Sequence, residues 1–230
     1  MVPFCNIYST FMQRAYDNVI HDVAIQDLPV VMCLDRGGLV GEDGVTHHGV
    51  FDMAAFGAVP GLVIAAPMNE LELRNLMYTA LQYGHPFMIR YPRGCGEGAP
   101  WRGAAFEALP VGRGRRLREG RDVALVTVGT AGNAAARAAA RLSAEGAEVA
   151  HYDLRYAKPL DEELLDEAGR RFRCVVTVED GCLRGGVGEA VTAFFNDRGY
   201  EVHVERLGIG DRWVEHGTPA QLQAQCGFDE

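Results

Sequence analysis

Short runs of β-branched and other apolar residues alternate with helix-period segments along almost the whole chain, and this alternation leaves few folds open. In the first half MVPFCNIY, LPVVMCLD, LVIAAP and PFMIRYP read as strands, with helical patterns over 11–25 and 70–83. In the second half DVALVTVG, EVAHYDL, CVVTVED and VHVERLGIG repeat the theme, with helices expected over 131–145, 161–171 and 188–195. Strands that alternate with helices pair in parallel and are covered on both faces, so they read as apolar throughout. The helix from Glu70 to Tyr83 is the best marked. Asn69 and Glu72 form a capping-box-like start, and Leu73, Leu76, Met77 and Leu81 supply an apolar face.

Between Cys95 and Gly120 the periodicity gives way to GCGEGAPWRG and VGRGRRLREG, a stretch of Gly, Pro and Arg that marks a junction. The expected architecture is two consecutive α/β domains with mainly parallel sheets, residues 1–110 and 111–230. A chain of 230 residues is long enough to bury a core in each. It begins about three residues ahead of a strand that reads as buried, where most domains carry an exposed lead-in. The first domain is therefore expected to be incomplete.

A net charge of -9 argues against nucleic acid, whose phosphates are held by excess Lys and Arg. The densest basic cluster, RGRRLREGR around Arg116, has no interleaved aromatics and reads as a solvated connector. Lys158 is the only lysine. Six cysteines without a C-x-x-C pair suggest reduced thiols. No apolar run reaches the ~18 residues of a membrane span, and no signal peptide is evident, so a cytoplasmic location is expected.

The segment DRGGLVGEDGVTHHG, residues 35–49, follows directly on the strand LPVVMCL. Open α/β sheets place their ligand crevices at such carboxyl ends. Five glycines let backbone approach a ligand closely, and Arg36, Glu42, Asp43, His47 and His48 supply charge and proton-transfer capacity. Adjacent histidines on an extended segment point apart, so no metal site is expected. A Gly-rich loop beside an arginine suits an anion, because the guanidinium forks onto phosphate oxygens. Arg93, in RYPRG, would add a second fork. One of the two histidines could then move a proton on the substrate, with Asp43 orienting it or a substrate hydroxyl.

Tyr8 and Phe11 flank a strand-to-helix transition, with Arg14 one turn further in; from the residues alone they are either core or a cofactor platform. GGVG at 185–188 lacks the full G-x-G-x-x-G and reads as a tight turn, and Glu179 and Asp180 before it read as structural or interfacial.

In chain order, YSTFMQRAYDNVIHDVAIQDLPVVMCLDRGGLVGEDGVTHHGVFD, RYPRG, VGTAGNAA, DLRYAKPLDEELL, VTVEDG and GGVGEAV resemble the C-terminal part of the 1-deoxy-D-xylulose-5-phosphate synthase family. The resemblance implies an incomplete thiamine-diphosphate-binding fold, the pyrimidine-binding domain, followed by a transketolase C-terminal-like domain. It implies condensation of pyruvate with glyceraldehyde 3-phosphate, with loss of CO2, for isoprenoid, thiamine and pyridoxal synthesis. The cofactors would be thiamine diphosphate and Mg2+, and the assembly a homodimer. Phe11 matches the aromatic that packs on the aminopyrimidine. Tyr8, Arg14, Arg36, Asp43, His47 and Arg93 match the pocket for the acceptor and its phosphate, with His47 and Asp43 in catalytic positions.

The family's metal-binding G-D-G motif and its cofactor-activating glutamate have no counterpart in these residues. The chain alone is expected to be inactive and to need a missing N-terminal domain or a separate chain supplying it. Three alternatives are one chain of a split thiamine-diphosphate enzyme, a non-catalytic dimerisation or regulatory module of transketolase-like fold, and the beta chain of a two-chain ketoacid dehydrogenase. Intact Arg36, Asp43, His47 and Arg93 argue against the module, and the missing glutamate against the dehydrogenase.

Overall fold

A computed structural model describes residues 1–229. The first half supplies strands β1 (Phe4–Tyr8), β2 (Val31–Asp35), β3 (Val63–Ala65) and β4 (Phe87–Arg90). The second supplies β5 (Arg115–Arg118), β6 (Val123–Val128), β7 (Val149–Asp153), β8 (Tyr156–Lys158), β9 (Cys174–Cys182) and β10 (His203–Ile209). They form two five-stranded sheets, ordered β1-β2-β4-β3-β8 and β10-β9-β6-β7-β5. Each is parallel except for one edge strand, β8 against β3 and β5 against β7. The expected α/β class with mainly parallel sheets is what the chain adopts.

Among the described residues seven α-helices lie between strands, α1 (Ser9–Met12), α2 (Tyr16–Asn18), α3 (Asp52–Gly57), α4 (Glu70–Tyr83), α5 (Ala131–Ala144), α6 (Glu162–Arg171) and α7 (Val187–Asp197), and α8 (Pro219–Cys226) follows β10. The single helix expected over 11–25 is instead composite. α1 passes through a 3-10 turn at Gln13–Ala15 into α2, and the segment ends in a π-helical turn at Val19–Ala24. Val19, Ile20 and Val23 crowd an ordinary α-turn through their β-branched side chains, and all three pack against the core. α4 keeps the expected bounds. Asn69 accepts the Glu72 amide at 2.9 Å, but the Glu72 carboxylate reaches back to the Met68 amide rather than closing a box on Asn69.

Two features tie the halves together more closely than their sequence separation suggests. β8, from the second half, completes the first sheet. One apolar cluster also runs through both, from Met53, Phe56, Leu62 and Ile64 to Val126, Val128, Tyr152 and Leu154. Each such fully buried side chain contributes about 1.5–3 kcal/mol relative to exposure, so neither sheet is independent of the other.

The basic cluster around Arg116 is not a free connector. It forms edge strand β5, where Arg116 pairs with Glu119 and Glu167 while Arg115 turns inward to Glu72 and Asp153. Every cysteine is free. Among the described residues no helix is long and apolar enough to cross a membrane.

Candidate active site

β2 ends at Asp35, and the chain leaves the sheet through Arg36, whose φ of 60° lies in the left-handed region. A non-glycine residue held there is strained, and such strain concentrates at functional sites. The turn lays the Arg36 guanidinium over the Tyr8 ring at 3.8 Å from its centroid, where Asp35 also pairs with it. Tyr8 closes β1, the neighbour of β2, so the sheet register itself brings Tyr8 opposite Asp35.

From Tyr8 an aromatic chain continues. Phe11 stacks on Tyr8 with centroids 5.3 Å apart, His47 meets Phe11 edge-on at 5.5 Å, and the Arg14 guanidinium lies 5.6 Å from the Phe11 centroid. The Thr46 hydroxyl lies 2.9 Å from Nδ1 of His47 and orients the ring. Asp43 is engaged by Arg93 at 2.8 Å, and both are partly open to solvent. Tyr8, Phe11, Arg14, Arg36 and His47 thus form one group, and Asp43 with Arg93 a second. Arg36 and Arg93 share a cleft of about 400 Å³, also lined by Tyr91, Met68, Thr130 and the start of α4. Two guanidiniums facing one cleft suit a phosphate dianion or a carboxylate.

Beneath the loop lies a buried polar network. Arg90, 5% exposed, donates through Nε to Asp52 at 2.8 Å and through Nη2 to the carbonyls of Gly49 at 3.2 Å and Asp180 at 3.0 Å. The same Asp52 oxygen accepts from the Ser9 hydroxyl at 2.9 Å. Burial disfavours the Arg90 charge, but Asp52 and Asp180 outweigh it and hold the guanidinium above its usual pKa. Burial pushes Asp180 up to about 6 against the pull of Arg90. Its carboxylate accepts the Leu39 amide, so the loop is pinned to β9.

His48 is buried, and its ring bridges the two halves. Nδ1 accepts the Val40 amide at 3.1 Å while Nε2 faces the Glu215 carbonyl at 3.2 Å, which fixes the tautomer with the proton on Nε2. His47 and His48 therefore serve opposite sides of the loop, one toward the aromatic group and one into the interior. Among the described residues no group of three His, Cys, Asp or Glu side chains could hold a metal.

The GGVG turn is filled from within. Glu179 accepts the amides of Val187 at 2.9 Å and Gly188 at 2.8 Å, occupying the N-terminus of α7 with the protein's own carboxylate. Glu179 and Asp180 act as structural and inter-sheet anchors. Sequence reasoning missed Arg90 and Asp52. The available signal was a charged residue at the end of a strand otherwise apolar on both faces, which demands a buried partner.

The transketolase pyrimidine binding domain family matches residues 1–97, and the transketolase C-terminal domain family matches residues 112–230. Among relatives, 1-deoxy-D-xylulose-5-phosphate synthase of Bacteroides thetaiotaomicron is 60% identical over 230 residues, covering 99% of this chain and 35% of its own length. The Bacteroides fragilis protein of the same description is 58% identical, covering 100% and 36%. That of Gloeobacter violaceus is 50% identical, covering 99% and 36%. A solved structure described as split gene transketolase, inactive beta4 tetramer, superposes with a TM-score of 0.85 at 28% identity over 99% of this chain and 71% of its own. The chain spans just over a third of the length of the synthases it matches.

Proposed function

The chain belongs to the transketolase family, and from that membership we propose that it forms the pyrimidine-binding and C-terminal portion of a 1-deoxy-D-xylulose-5-phosphate synthase. The division falls at 110/111. The reaction is the condensation of pyruvate with glyceraldehyde 3-phosphate with loss of CO2, and this portion supplies the acceptor side. Arg36 and Arg93 take the phosphate, with Tyr8 and Arg14 beside them. His47 and Asp43 stand near the reacting oxygens, with His47 moving a proton. The observation that carries the reading is the cleft faced by both Arg36 and Arg93, with His47 joined to the Arg36 side through Phe11 and Tyr8.

Thiamine diphosphate, with Mg2+, supplies the carbanion chemistry of the complete enzyme. The half-buried Phe11 ring, stacked on Tyr8, fits a platform for its aminopyrimidine. Among the described residues no three His, Cys, Asp or Glu side chains are grouped to hold the metal. The complete enzyme is a cytoplasmic homodimer, and the 230 residues alone do not turn over.

The test is product formation from pyruvate and glyceraldehyde 3-phosphate with thiamine diphosphate and Mg2+. It is run with the chain alone and with a polypeptide carrying the remaining two thirds of the Bacteroides thetaiotaomicron synthase. No product alone and product in the mixture is the expected pair. Turnover by the chain alone refutes its dependence on other residues, and silence in a mixture of two folded chains refutes the synthase reading. A second reading, one chain of a split thiamine-diphosphate enzyme, is favoured by the likeness to a split gene transketolase chain; in that case the natural partner chain, rather than a covalent extension, restores turnover.

A further inference from the structure

We infer that Arg90 is the positioning residue of the candidate site: it does not line the cleft, yet it fixes together the segment that carries Tyr8 and Phe11 and the loop that carries His47. The inference rests on the reading of that loop as the acceptor-binding segment.

Three hydrogen bonds leave one guanidinium, two for the continuous segment 49–52 and one for Asp180 in the second half of the chain. Nε goes to Asp52, whose same oxygen holds Ser9, the residue after Tyr8. Nη2 goes to the Gly49 carbonyl, and Gly49 is paired in both directions with Gly38 at 2.7 and 2.9 Å, clamping the two limbs of the loop. Nη2 also reaches the Asp180 carbonyl on β9. A Cβ on Gly37 would approach Nε to 3.1 Å, so the outgoing limb passes directly over the guanidinium. Arg93, three residues along the same chain, faces the cleft, whereas Arg90 does not line it.

The planar fork sends donors in fixed, diverging directions, Nε to the carboxylate and Nη2 to the two carbonyls. A lysine keeps the charge but presents its donors from one point. The Asp180 carbonyl belongs to the second half of the chain. Arg90 therefore makes the geometry of the site depend on how that half is docked, which is a role beyond the stability of a buried ion pair.

Two readouts separate positioning from bulk stability in the 230-residue chain. In Arg90→Lys, amide hydrogen exchange is expected to quicken at least tenfold at Gly38, Leu39 and Gly49 while Val126 and Val178 in the second sheet keep their wild-type rates. The dissociation constant for inorganic phosphate, measured by calorimetry, is expected to rise about tenfold. Asp52→Asn keeps the shape and weakens the Nε arm, with at least a threefold quickening at the same amides; it stands in if Arg90→Lys does not fold. Uniform acceleration through both sheets, or unchanged exchange at Gly38 and Gly49 in a folded variant, overturns the inference, as does undiminished phosphate affinity in folded Arg90→Lys. If the wild-type chain binds no phosphate, the acceptor-site reading fails separately, and the exchange pattern decides the positioning role.

Discussion

The Arg36 guanidinium lies over the Tyr8 ring, 3.8 Å from its centroid; Tyr8 ends β1, whereas Arg36 sits in the turn that follows β2 with a left-handed backbone. The ring presets the guanidinium's orientation without consuming all of its donors. A cation-π contact at a partly exposed position contributes about 0.5–1 kcal/mol. Tyr8→Leu is therefore expected to weaken phosphate binding two- to fivefold. Arg36→Lys, which loses both stacking and fork, should weaken it about tenfold or more. Calorimetric titration with inorganic phosphate checks both, and equal affinities across the three proteins would remove Arg36 from the site.

Gly38 should tolerate no side chain. Its φ is 83°, and a Cβ there would fall 2.0 Å from the Asp180 carboxylate. Gly61 has a similar φ of 73° with nothing within 4 Å. Gly61→Ala should cost only the left-handed backbone strain, of order 1 kcal/mol. Gly38→Ala should cost that plus the displacement of Asp180 from the Leu39 amide, a further 1–3 kcal/mol or so. Thermal midpoints compare the two, and similar losses would contradict the close packing of loop on β9.

The pH dependence of stability carries opposing contributions from neighbouring residues of β7. Burial, then the Glu72 charge, raises Asp153 from 3.8 to about 7, while burial, then Arg115, lowers His151 from 6.5 to about 4. For Asp153 the folded state holds the proton more tightly, so its contribution is full below about pH 4 and is lost as pH rises to 7. For His151 the unfolded state holds the proton more tightly, so stability is lost as pH falls from 6.5 to 4. Relative to wild type, Asp153→Asn should fare better at pH 7 than at pH 4, and the deficit of His151→Gln should shrink as pH falls through that window. Thermal midpoints at four or five pH values check this; differences that do not change with pH would contradict it.

Glu179 closes the start of α7 as an internal anion. Glu179→Ala leaves the Val187 and Gly188 amides without a partner and should cost about 1–3 kcal/mol, or roughly 2–10 °C in the thermal midpoint for a chain of this length. Added phosphate should recover part of that loss by occupying the vacated helix terminus. Full wild-type stability in Glu179→Ala would mean that the carboxylate is dispensable there.

The alternation of apolar runs was enough to place eight strands and the long helices; the inner strands, such as β2, β4, β3 and β7, are covered on both faces, whereas β1, expected to be buried, is an edge strand with Cys5 and Asn6 exposed, and β10 is likewise a partly open edge. β5 was hidden because an edge strand rich in arginine looks like a solvated connector until Glu119, Glu167 and Asp153 are brought beside it. β8 was hidden because three residues carry no periodicity, and its place in the first sheet depends on long-range docking. α8 was legible and passed over: Thr218, Pro219 and Gln221 are a capping box with proline at the first turn. The candidate residues Arg36, Asp43 and His47 stood out by residue type in a glycine-rich loop and Arg93 by its place in RYPRG, and the fold sets Arg36 and Arg93 on one cleft. The supports of the site did not stand out, since Arg90, Asp52, Ser9 and Asp180 acquire meaning only through contacts spanning between 38 and 141 positions of sequence.

The central claim is that this chain carries the acceptor-phosphate half of a synthase active site. Calorimetric titration of glyceraldehyde 3-phosphate into the wild-type chain and into the Arg36→Gln, Arg93→Gln double variant tests it most directly. Saturable one-to-one binding to wild type that falls by at least tenfold in a double variant of unchanged thermal midpoint is the expected result. Equal binding by the two proteins, or none by either, would contradict it.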